Sequence, residues 1–292
     1  MYEPEVTVIT PTHNIVEAGK ADDFTLLLNM LNRQTYPYIE HMVMDNASTD
    51  ETIELLKEYK NSGYINFTSA PDRGKYDAVN KALMKAKGKY IAILSCDDFY
   101  HDVTGIADVV NTMEEAEADF CYFPAYCVPP DNNVFLYIPS IYNVFQVMPF
   151  GHQACIFSKD AIAALGGFDA KFKLFSDYDL ILRMVLNNFK GVYFDGNIVT
   201  YKMAQQVEKY QQQVKAECSH IYHKNLRSLF PLTDNQIDRM VNISEIPKQL
   251  LDRLVKCFPG DEEIFYERYE QMYNMRVQNA EALRAQERQQ RR

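Results

Sequence analysis

Short apolar runs alternate with amphipathic segments over the first hundred residues of the chain. Four β-branched or apolar runs predict strands: Val6–Thr10, His41–Met44, Tyr64–Thr68 and Tyr90–Leu94. Apolar residues at every third or fourth position predict three intervening helices: one from Asp22, one after the caps at Ser48–Asp50 and one over Asp77–Lys87. Pro11 is expected to end the first strand, and Gly88 is expected to cap the third helix.

This order of elements predicts an α/β fold of the doubly wound type, in which a mostly parallel, mixed sheet carries helices on both faces. After position 202 the pattern changes to three helical stretches: 203–230, 234–258 and 261–292. Pro247 breaks the second of them, and the third is long and charged. We therefore expect an α/β domain over 1–202, with halves 1–100 and 101–202, and a C-terminal helical region over 203–292.

Composition narrows the class of protein. With 47% hydrophobic and 24% charged residues in 292, the chain has the balance of a globular protein and not of a disordered one. Its formal net charge of −10 argues against a nucleic-acid partner, because proteins that bind nucleic acid usually carry a basic excess. The six cysteines form no C-x-x-C pair, which favours free thiols in a reducing compartment.

The printed sequence opens without a basic segment leading into an apolar one, so no secretory signal is expected. No apolar run approaches the ~20 residues that a membrane-spanning helix needs. These two observations together predict a cytoplasmic protein.

Polar side chains follow each of the four predicted strands. In chain order they are Thr10, Thr12 and Asn14, then Asp45, then Asp72 and Arg73, then Asp97 and Asp98. Ligands of doubly wound sheets bind beyond the carboxyl ends of the strands, so this shared rim is the expected site. The chain has neither the glycine pattern of a dinucleotide site nor a P-loop. Adjacent carboxylates suit Mg²⁺ or Mn²⁺ bridging to phosphates, although Asp is also common where a strand simply turns.

These segments, taken together, resemble the successive motifs of the family 2 glycosyltransferases, which are inverting enzymes with the GT-A fold. They read Thr10-Pro11-Thr12-His13-Asn14, Asp45-Asn46-Ala47-Ser48-Thr49-Asp50-Glu51-Thr52, Asp72-Arg73-Gly74-Lys75-Tyr76-Asp77-Ala78-Val79-Asn80 and Leu94-Ser95-Cys96-Asp97-Asp98. The resemblance covers about residues 5–202 and keeps the order and spacing of the motifs.

The resemblance implies that residues 1–100 bind a nucleotide-diphosphate sugar and that 101–202 form the acceptor and catalytic half. The implied donor-binding residues are Thr10, Pro11, Thr12, Asn14, Asp45, Asp72, Arg73 and Asp97. Asp98, with Asp97, is the implied ligand of Mn²⁺ or Mg²⁺, and Ser95 stands where many members have a further Asp.

The second half continues the resemblance with an H-Q segment at His152-Gln153 and with Ser176-Asp177-Tyr178-Asp179-Leu180-Ile181-Leu182-Arg183, which is similar to the family's E-D-x-x-L-x-x-R helix start. Asp177 matches the family's general base. The implied wall of the acceptor or donor pocket contains His152, Gln153, Asp179 and Arg183. Ser176 and Asp179 also have the spacing of a capping box, which favours a structural role for Asp179.

The resemblance therefore implies sugar transfer, with inversion, from a nucleotide-diphosphate sugar to an acceptor hydroxyl, and UDP is favoured over GDP or dTDP. The implied pathway is bacterial surface polysaccharide or glycolipid synthesis, with a glycan or lipid-linked acceptor at the inner face of the membrane. Met203-Ala204-Gln205-Gln206 stands where the family often has G-G-x-S. The C-terminal helices are expected to pack within the chain. Homo-oligomer formation and peripheral membrane contact are the weaker options.

Two other functions remain open from the residues. A nucleotidyltransferase would need a glycine-rich basic loop after the first strand, and Thr10–Lys20 contains one Gly and one Lys. A non-enzymatic GT-A scaffold that binds a nucleotide or a partner is favoured by the missing Asp at Ser95 and by the altered tail motif.

Overall fold

The computed structural model describes residues 5–203 and 207–290, and their contacts group them into two compact units. One unit contains residues 5–139, 150–180 and 189–203, and the other contains 140–149, 181–188 and 207–290. From Ala204 on, the tail motif of the sequence analysis lies outside the described residues. The division at 202 stays a prediction.

The first unit contains the alternating elements that the sequence predicts. Its strands are β1 Val6–Thr12, β2 Ile39–Asp45, β3 Asn66–Ser69, β4 Tyr90–Ile93, β5 Phe99–Tyr100, β6 Phe120–Tyr122, β7 Ala125–Val128, β8 Phe135–Tyr137, β9 Cys155–Ser158, β10 Gly191–Tyr193 and β11 Val199–Lys202. Its helices are α1 Ala21–Asn32, α2 Thr52–Asn61, α3 Lys75–Leu83, α4 Gly105–Ala116 and α5 Lys159–Ala164, followed by α6 Ser176–Leu186, which begins in this unit and ends in the other.

Seven of the described strands form one sheet in the order β10-β6-β9-β4-β1-β2-β3. Only β9 among these seven runs antiparallel to its neighbours, β4 and β6. This mixed, mostly parallel sheet confirms the predicted α/β class. A second described sheet has the order β5-β11-β7-β8, and the sequence analysis did not predict it.

The central strand of the large sheet, β4, is fully buried. All four residues of β4 are buried, as expected for a strand covered on both faces. The predicted stripe of α1 is buried as well, and it consists of Phe24, Leu27, Leu28 and Leu31. Burying each such side chain stabilises the fold by about 1.5–3 kcal/mol, so the apolar pattern that predicted the elements also provides much of their packing energy.

Pro11 does not end β1, which continues to Thr12 with Pro11 opposite Met44 of β2. Along a parallel strand, the backbone groups of successive residues point alternately to the two neighbouring strands. The Ile9 carbonyl accepts from the Leu94 N–H, just after β4, and the Thr12 carbonyl accepts from the Asn46 N–H, just after β2. The nitrogen of Pro11 therefore points to the β4 side, where that strand has already ended. A proline fits there because no ladder bond is lost.

Gly88 does not cap α3, which ends at Leu83 with Met84 as its C-cap. Gly88 instead lies against β1 and donates its N–H to Thr7 Oγ1 at 2.9 Å. A Cβ at this position would lie 2.5 Å from the Thr7 nitrogen and 2.8 Å from the Glu5 carbonyl oxygen. The glycine is thus required for close approach of two backbone segments.

We expect Gly88→Ala to destabilise the protein by about 1–3 kcal/mol, because both clashing groups belong to the backbone and have little room to shift. Urea unfolding followed by circular dichroism measures the change. An unchanged unfolding midpoint would show that β1 can shift away from the added Cβ without loss of stability.

All six cysteines are free, which confirms the prediction of unpaired thiols. Four are buried, and Cys218 and Cys257 are half-buried. Among the described helices none combines the length and the hydropathy required to cross a bilayer.

The C-terminal part of the second unit, 207–290, contains the helices predicted for that region: α7 Val207–Leu226, α8 Asp234–Ile243, α9 Lys248–Leu254 and α10 Glu262–Gln290. A capping box between Thr233 and Gln236 begins α8, and Pro247 stands immediately before α9. Within this unit Phe258 stacks on Phe265 of α10, with ring centroids 5.3 Å apart.

Candidate active site

A buried carboxylate, Asp45, joins the carboxyl ends of β1, β2 and β3. Its Oδ1 accepts from the hydroxyls of Thr12 at 3.3 Å and Ser48 at 2.5 Å. Its Oδ2 accepts from the Ser48 N–H at 2.9 Å and from the Ser69 hydroxyl at 2.6 Å. Four donors fill the acceptor capacity of one carboxylate, so Asp45 fixes the geometry of this rim.

The loops on either side of Asp45 are held by further polar contacts. Asn14, in the left-handed region at φ 45°, donates its N–H to Ser48 Oγ at 2.8 Å, and its side chain accepts from the Thr49 N–H at 2.9 Å. Asn46 Oδ1 accepts from the Asp72 N–H at 2.8 Å. The structure thus brings the predicted residues Thr12, Asn14, Asp45 and Asp72 together.

A cavity of about 260 Å³ adjoins this cluster and runs along α3. Asp45 and Asp72 line it together with apolar and basic side chains: Met44, Thr68, Ala70, Ala78, Lys81, Met84 and Lys85. A largely apolar cleft with a few polar groups is typical of small-molecule sites.

Thr10 and Arg73 do not join the cluster. The Thr10 hydroxyl is buried and shares a 2.9 Å hydrogen bond with Nε2 of His41. The Arg73 side chain is 82% exposed and pairs with Asp77 at 3.0 Å. Hydrogen bonds from Lys81 and from Arg73 hold the pKa of Asp77 well below its ordinary value.

The two aspartates after β4 have different surroundings. Asp97 Oδ2 pairs with Lys20 at 2.8 Å, and this carboxylate is 13% exposed. Asp98 is fully buried, and it accepts from the backbone N–H groups of Ser95 at 2.9 Å and Lys202 at 3.3 Å. Burial and the charge of Asp97 raise the pKa of Asp98 to about 6, against hydrogen bonds from Ser95 and Gln153. For Lys20, burial acts to lower the pKa, but the hydrogen bond and charge of Asp97 outweigh it and raise the pKa.

These residues fit a divalent cation that is held by few protein ligands. In 5–203 and 207–290 there is no cluster of three or more His, Cys, Asp or Glu side chains with metal-site geometry. Both oxygens of Asp98 accept backbone N–H groups, whereas Oδ1 of Asp97 has no hydrogen-bond partner among the described residues. Mg²⁺-type ions commonly use one or two carboxylates and complete their shell with water and substrate phosphate. Asp97 is the better placed ligand of the two.

His152 and Asp177 form a buried pair where β9 and α6 begin. Nδ1 of His152 lies 2.8 Å from Oδ2 of Asp177, and both side chains are about 95% buried or more. Burial and the charge of Lys75 lower the pKa of His152, and the opposing effect of Asp177 does not reverse this. For Asp177, burial acts to raise the pKa, but the hydrogen bond and charge of His152 outweigh it and hold the pKa below its ordinary value.

Lys75, the first residue of α3, connects the two groups of carboxylates. Its Nζ lies 4.5 Å from the centroid of the Tyr76 ring, and that ring meets His152 edge to face at 6.4 Å. Burial lowers the pKa of Lys75, while the charges of Asp177 and Asp98 both act to raise it. The ammonium has no hydrogen bond or ion pair to any described residue, so its donors remain available to a ligand.

The remaining predicted wall residues are spread out. Gln153 hydrogen bonds to Asp98, Asp179 is buried within α6, and Arg183 lies on the part of α6 that belongs to the second unit. The expected capping box does not form. The Asp179 N–H donates to the Phe175 carbonyl at 3.0 Å, and the Ser176 hydroxyl has no hydrogen-bond partner in the described structure. Helix α6 starts one residue earlier than a Ser176 cap requires.

Sequence reasoning missed the lysines of this site. Lys75 belongs to a motif segment and Lys20 precedes α1, but neither carries a signal of its own, because an isolated lysine before or in a helix is common. Lys173 also reaches this region and donates to the Arg73 carbonyl.

Comparison with known proteins shows the family and the fold of the chain. A family model described as "Glycosyl transferase family 2" matches residues 7–170. The E. coli UDP-Glc:α-D-GlcNAc-diphosphoundecaprenol β-1,3-glucosyltransferase WfaP is 37% identical over 93 residues, which are 32% of this chain and 37% of that protein.

Two solved structures are similar in fold. S. aureus TarS 1–349 in complex with UDP-GlcNAc gives a TM-score of 0.60 at 15% identity, over 97% of this chain and 92% of that one. The mannosyltransferase PcManGT from Pyrobaculum calidifontis, in complex with GDP-Man and Mn²⁺, gives 0.59 at 19% identity, over 95% and 85%.

Proposed function

This chain belongs to glycosyltransferase family 2 and has the GT-A fold, and we propose that it transfers a sugar from a UDP-linked donor to an acceptor hydroxyl with inversion at the anomeric carbon. The observation that carries the proposal is the position of Lys75. The charges of Asp177 and Asp98 both act to raise the pKa of its ammonium, so both carboxylates influence this position. A donor diphosphate at Lys75 would therefore lie near a metal-binding carboxylate group and near a proton-accepting group.

In this proposal the nucleotide binds at the rim that Asp45 orders. The base enters the cavity beside Asp45 and Asp72, and the diphosphate points toward Lys20 and Lys75. The similarity to a structure with UDP-GlcNAc, and to an enzyme named for UDP-Glc, supports a uridine nucleotide. A divalent cation on Asp97 would neutralise charge on the departing diphosphate.

Transfer then needs one bond to form and one to break. The acceptor oxygen attacks the anomeric carbon from the face opposite the diphosphate, and the bonding electrons leave with the diphosphate oxygen. The hydroxyl proton passes to the buried pair of His152 and Asp177. General-base assistance of this kind contributes roughly 10²–10⁴-fold to a rate.

The acceptor class follows from the relatives and not from the site. WfaP is named for an acceptor on a diphosphoundecaprenol lipid. We propose a lipid-linked glycan of the same chemical type, used at the cytoplasmic face of a bacterial membrane in surface polysaccharide or glycolipid synthesis.

A thermal-shift panel of UDP, GDP, dTDP and CMP, each with and without Mn²⁺, tests the donor site. We expect UDP with Mn²⁺ to raise the melting temperature by about 5–10 °C at a hundredfold excess over its dissociation constant, because it binds only the folded state. The other nucleotides should give smaller shifts. A null result for every nucleotide contradicts the proposal and favours the scaffold function.

A further inference from the structure

The hairpin of β7 and β8 carries an exposed apolar surface. Five large apolar or aromatic side chains between positions 126 and 138 are each 41–65% exposed. A single exposed apolar residue is ordinary, but several in one place mark an interaction site. We call these five residues the hairpin patch: Tyr126, Val134, Phe135, Leu136 and Ile138.

The register of the second sheet places these side chains on both sides of its outer strand. Tyr126 lies opposite Leu136, so the two project from the same face. Side chains alternate along a strand, and the same alternation continued by one residue beyond each end of β8 puts Val134 and Ile138 on that face. Phe135 projects from the other face. β8 is the last strand in the order β5-β11-β7-β8, so its outer edge has no strand partner among the described residues.

The hairpin carries almost no charge. Residues 120–139 contain one charged side chain, Asp131, in a chain of which 24% is charged. Asp131 lies in the turn, where it accepts from the backbone and side-chain N–H groups of Asn133. Because the turn is polar and the apolar residues follow the strand, the hairpin presents its side, and not its tip, as the apolar surface.

These observations favour lipid over a protein partner. An edge strand can pair with a strand of a second copy, but protein interfaces usually surround their apolar centre with a polar, charged rim, and the hairpin supplies none. Lipid can contact apolar side chains on both faces of a strand. An open sheet edge is not tolerated in the hydrocarbon, so the contact belongs to the hydrated interfacial layer, where tyrosine is also favoured.

The second sheet connects the hairpin to the candidate active site. Lys202 of β11 donates its N–H to Asp98 and lies opposite Val128 of β7. β8 is the next strand after β7 in the sheet. The hairpin patch therefore lies two strand spacings, about 10 Å, from the strand that contacts Asp98.

We propose that the hairpin patch docks the protein on the surface of a lipid bilayer. The inference rests on the proposed function in one respect: a lipid-linked acceptor is held in the bilayer, and docking through β8 brings the region of Asp98 close to it. The net charge of −10 opposes adsorption to anionic lipid, so the attraction comes from the apolar side chains. Docking should therefore need no anionic lipid and should resist salt.

Vesicle flotation without donor or acceptor tests the docking. The protein is mixed with vesicles of phosphatidylcholine alone, or of phosphatidylcholine with phosphatidylglycerol, at low and at high salt. We expect the wild type to float with the phosphatidylcholine vesicles equally at both salt concentrations. The double variant Leu136→Glu/Ile138→Glu should partition at least about tenfold less, because apolar area is lost and charge is added at the contact.

Two further variants control for charge and for folding. Leu283→Glu makes the same change at an exposed residue of α10, and it should float as the wild type does. Leu136→Ser/Ile138→Ser removes the apolar groups without adding charge, and it should also lose binding. Both double variants should keep the melting temperature and the UDP affinity of the wild type, because the hairpin patch contributes no residue to the donor site.

The outcomes separate this inference from the proposed function. Wild-type protein that does not float, or double variants that float equally well, would overturn the docking. Binding that requires phosphatidylglycerol and is lost at high salt would also overturn it, because charged groups would then make the contact. A wild-type dimer in sedimentation that becomes monomeric in both double variants, with no flotation, would assign the patch to a second copy of the chain. Protein that floats as expected but transfers no sugar would overturn the proposed function alone.

Discussion

Asp177→Asn should reduce glycosyl transfer by about 10²–10⁴-fold, because an amide cannot accept the proton of the acceptor hydroxyl as a carboxylate does. The side chain keeps its shape but loses its charge and one acceptor oxygen. Its new NH₂ group faces positions now occupied by donors from His152, Tyr178 and Tyr76. No charged acceptor for the hydroxyl proton then remains at this position.

Nucleotide binding should survive this substitution, because the hydrogen bonds of Asp177 go to His152, Tyr178 and Tyr76 and not to the rim that Asp45 orders. Isothermal titration with UDP should give a dissociation constant within about threefold of the wild type, and steady-state UDP release should show the loss in turnover. Asp160→Asn is the matched control, since Asp160 is an exposed aspartate in the first turn of α5. A folded Asp177→Asn protein within tenfold of wild-type turnover would be incompatible with any role of this carboxylate in proton transfer.

Most of the fold can be predicted from the sequence, because the patterns that specify its helices and strands are local. The apolar stripe of α1 and the continuous apolar run of β4 each specify an element and its burial. The errors arose where tertiary contacts decide. Pro11 is tolerated in β1 only because β4 has ended beside it, and Gly88 is needed for an approach to Thr7, 81 positions away in the chain.

The site was readable in part for the same reason. Asp45 ends β2, and Asp97 and Asp98 lie four and five positions after the end of β4, so the topology of the sheet gives their common rim. The pairing of His152 with Asp177 joins residues 25 positions apart, and no spacing rule reports it. No spacing rule reports the ring contacts either: Lys75 lies over the Tyr76 ring, and that ring contacts His152.

The second large effect is expected when the charge of Lys75 is removed. Lys75→Met should weaken the binding of UDP by about 10–100-fold, because a hydrogen bond between charged groups contributes about 1.5–3 kcal/mol. Lys75 is half-buried, and its ammonium has no hydrogen bond or ion pair to any described residue, so salt screens it less than it screens a surface lysine. Methionine keeps the length and apolar contacts of the stem, including those with the Tyr76 ring, and removes only the charge.

Uridine and UMP provide the internal comparison for this variant. If Lys75 binds the second phosphate of the donor, Lys75→Met should leave the affinity for uridine and UMP within about twofold while that for UDP falls, and Lys75→Arg should retain most of it. Lys60→Met is the matched control, since Lys60 also lies over an aromatic ring, that of Phe67, at 5.5 Å. Calorimetric titrations of the three ligands measure the difference. An equal loss of affinity for all three ligands would show that Lys75 supports the fold and does not bind the diphosphate. Unchanged affinity for UDP would show that the diphosphate does not bind at Lys75, and the reason for placing the reaction near Asp98 and Asp177 would then be lost.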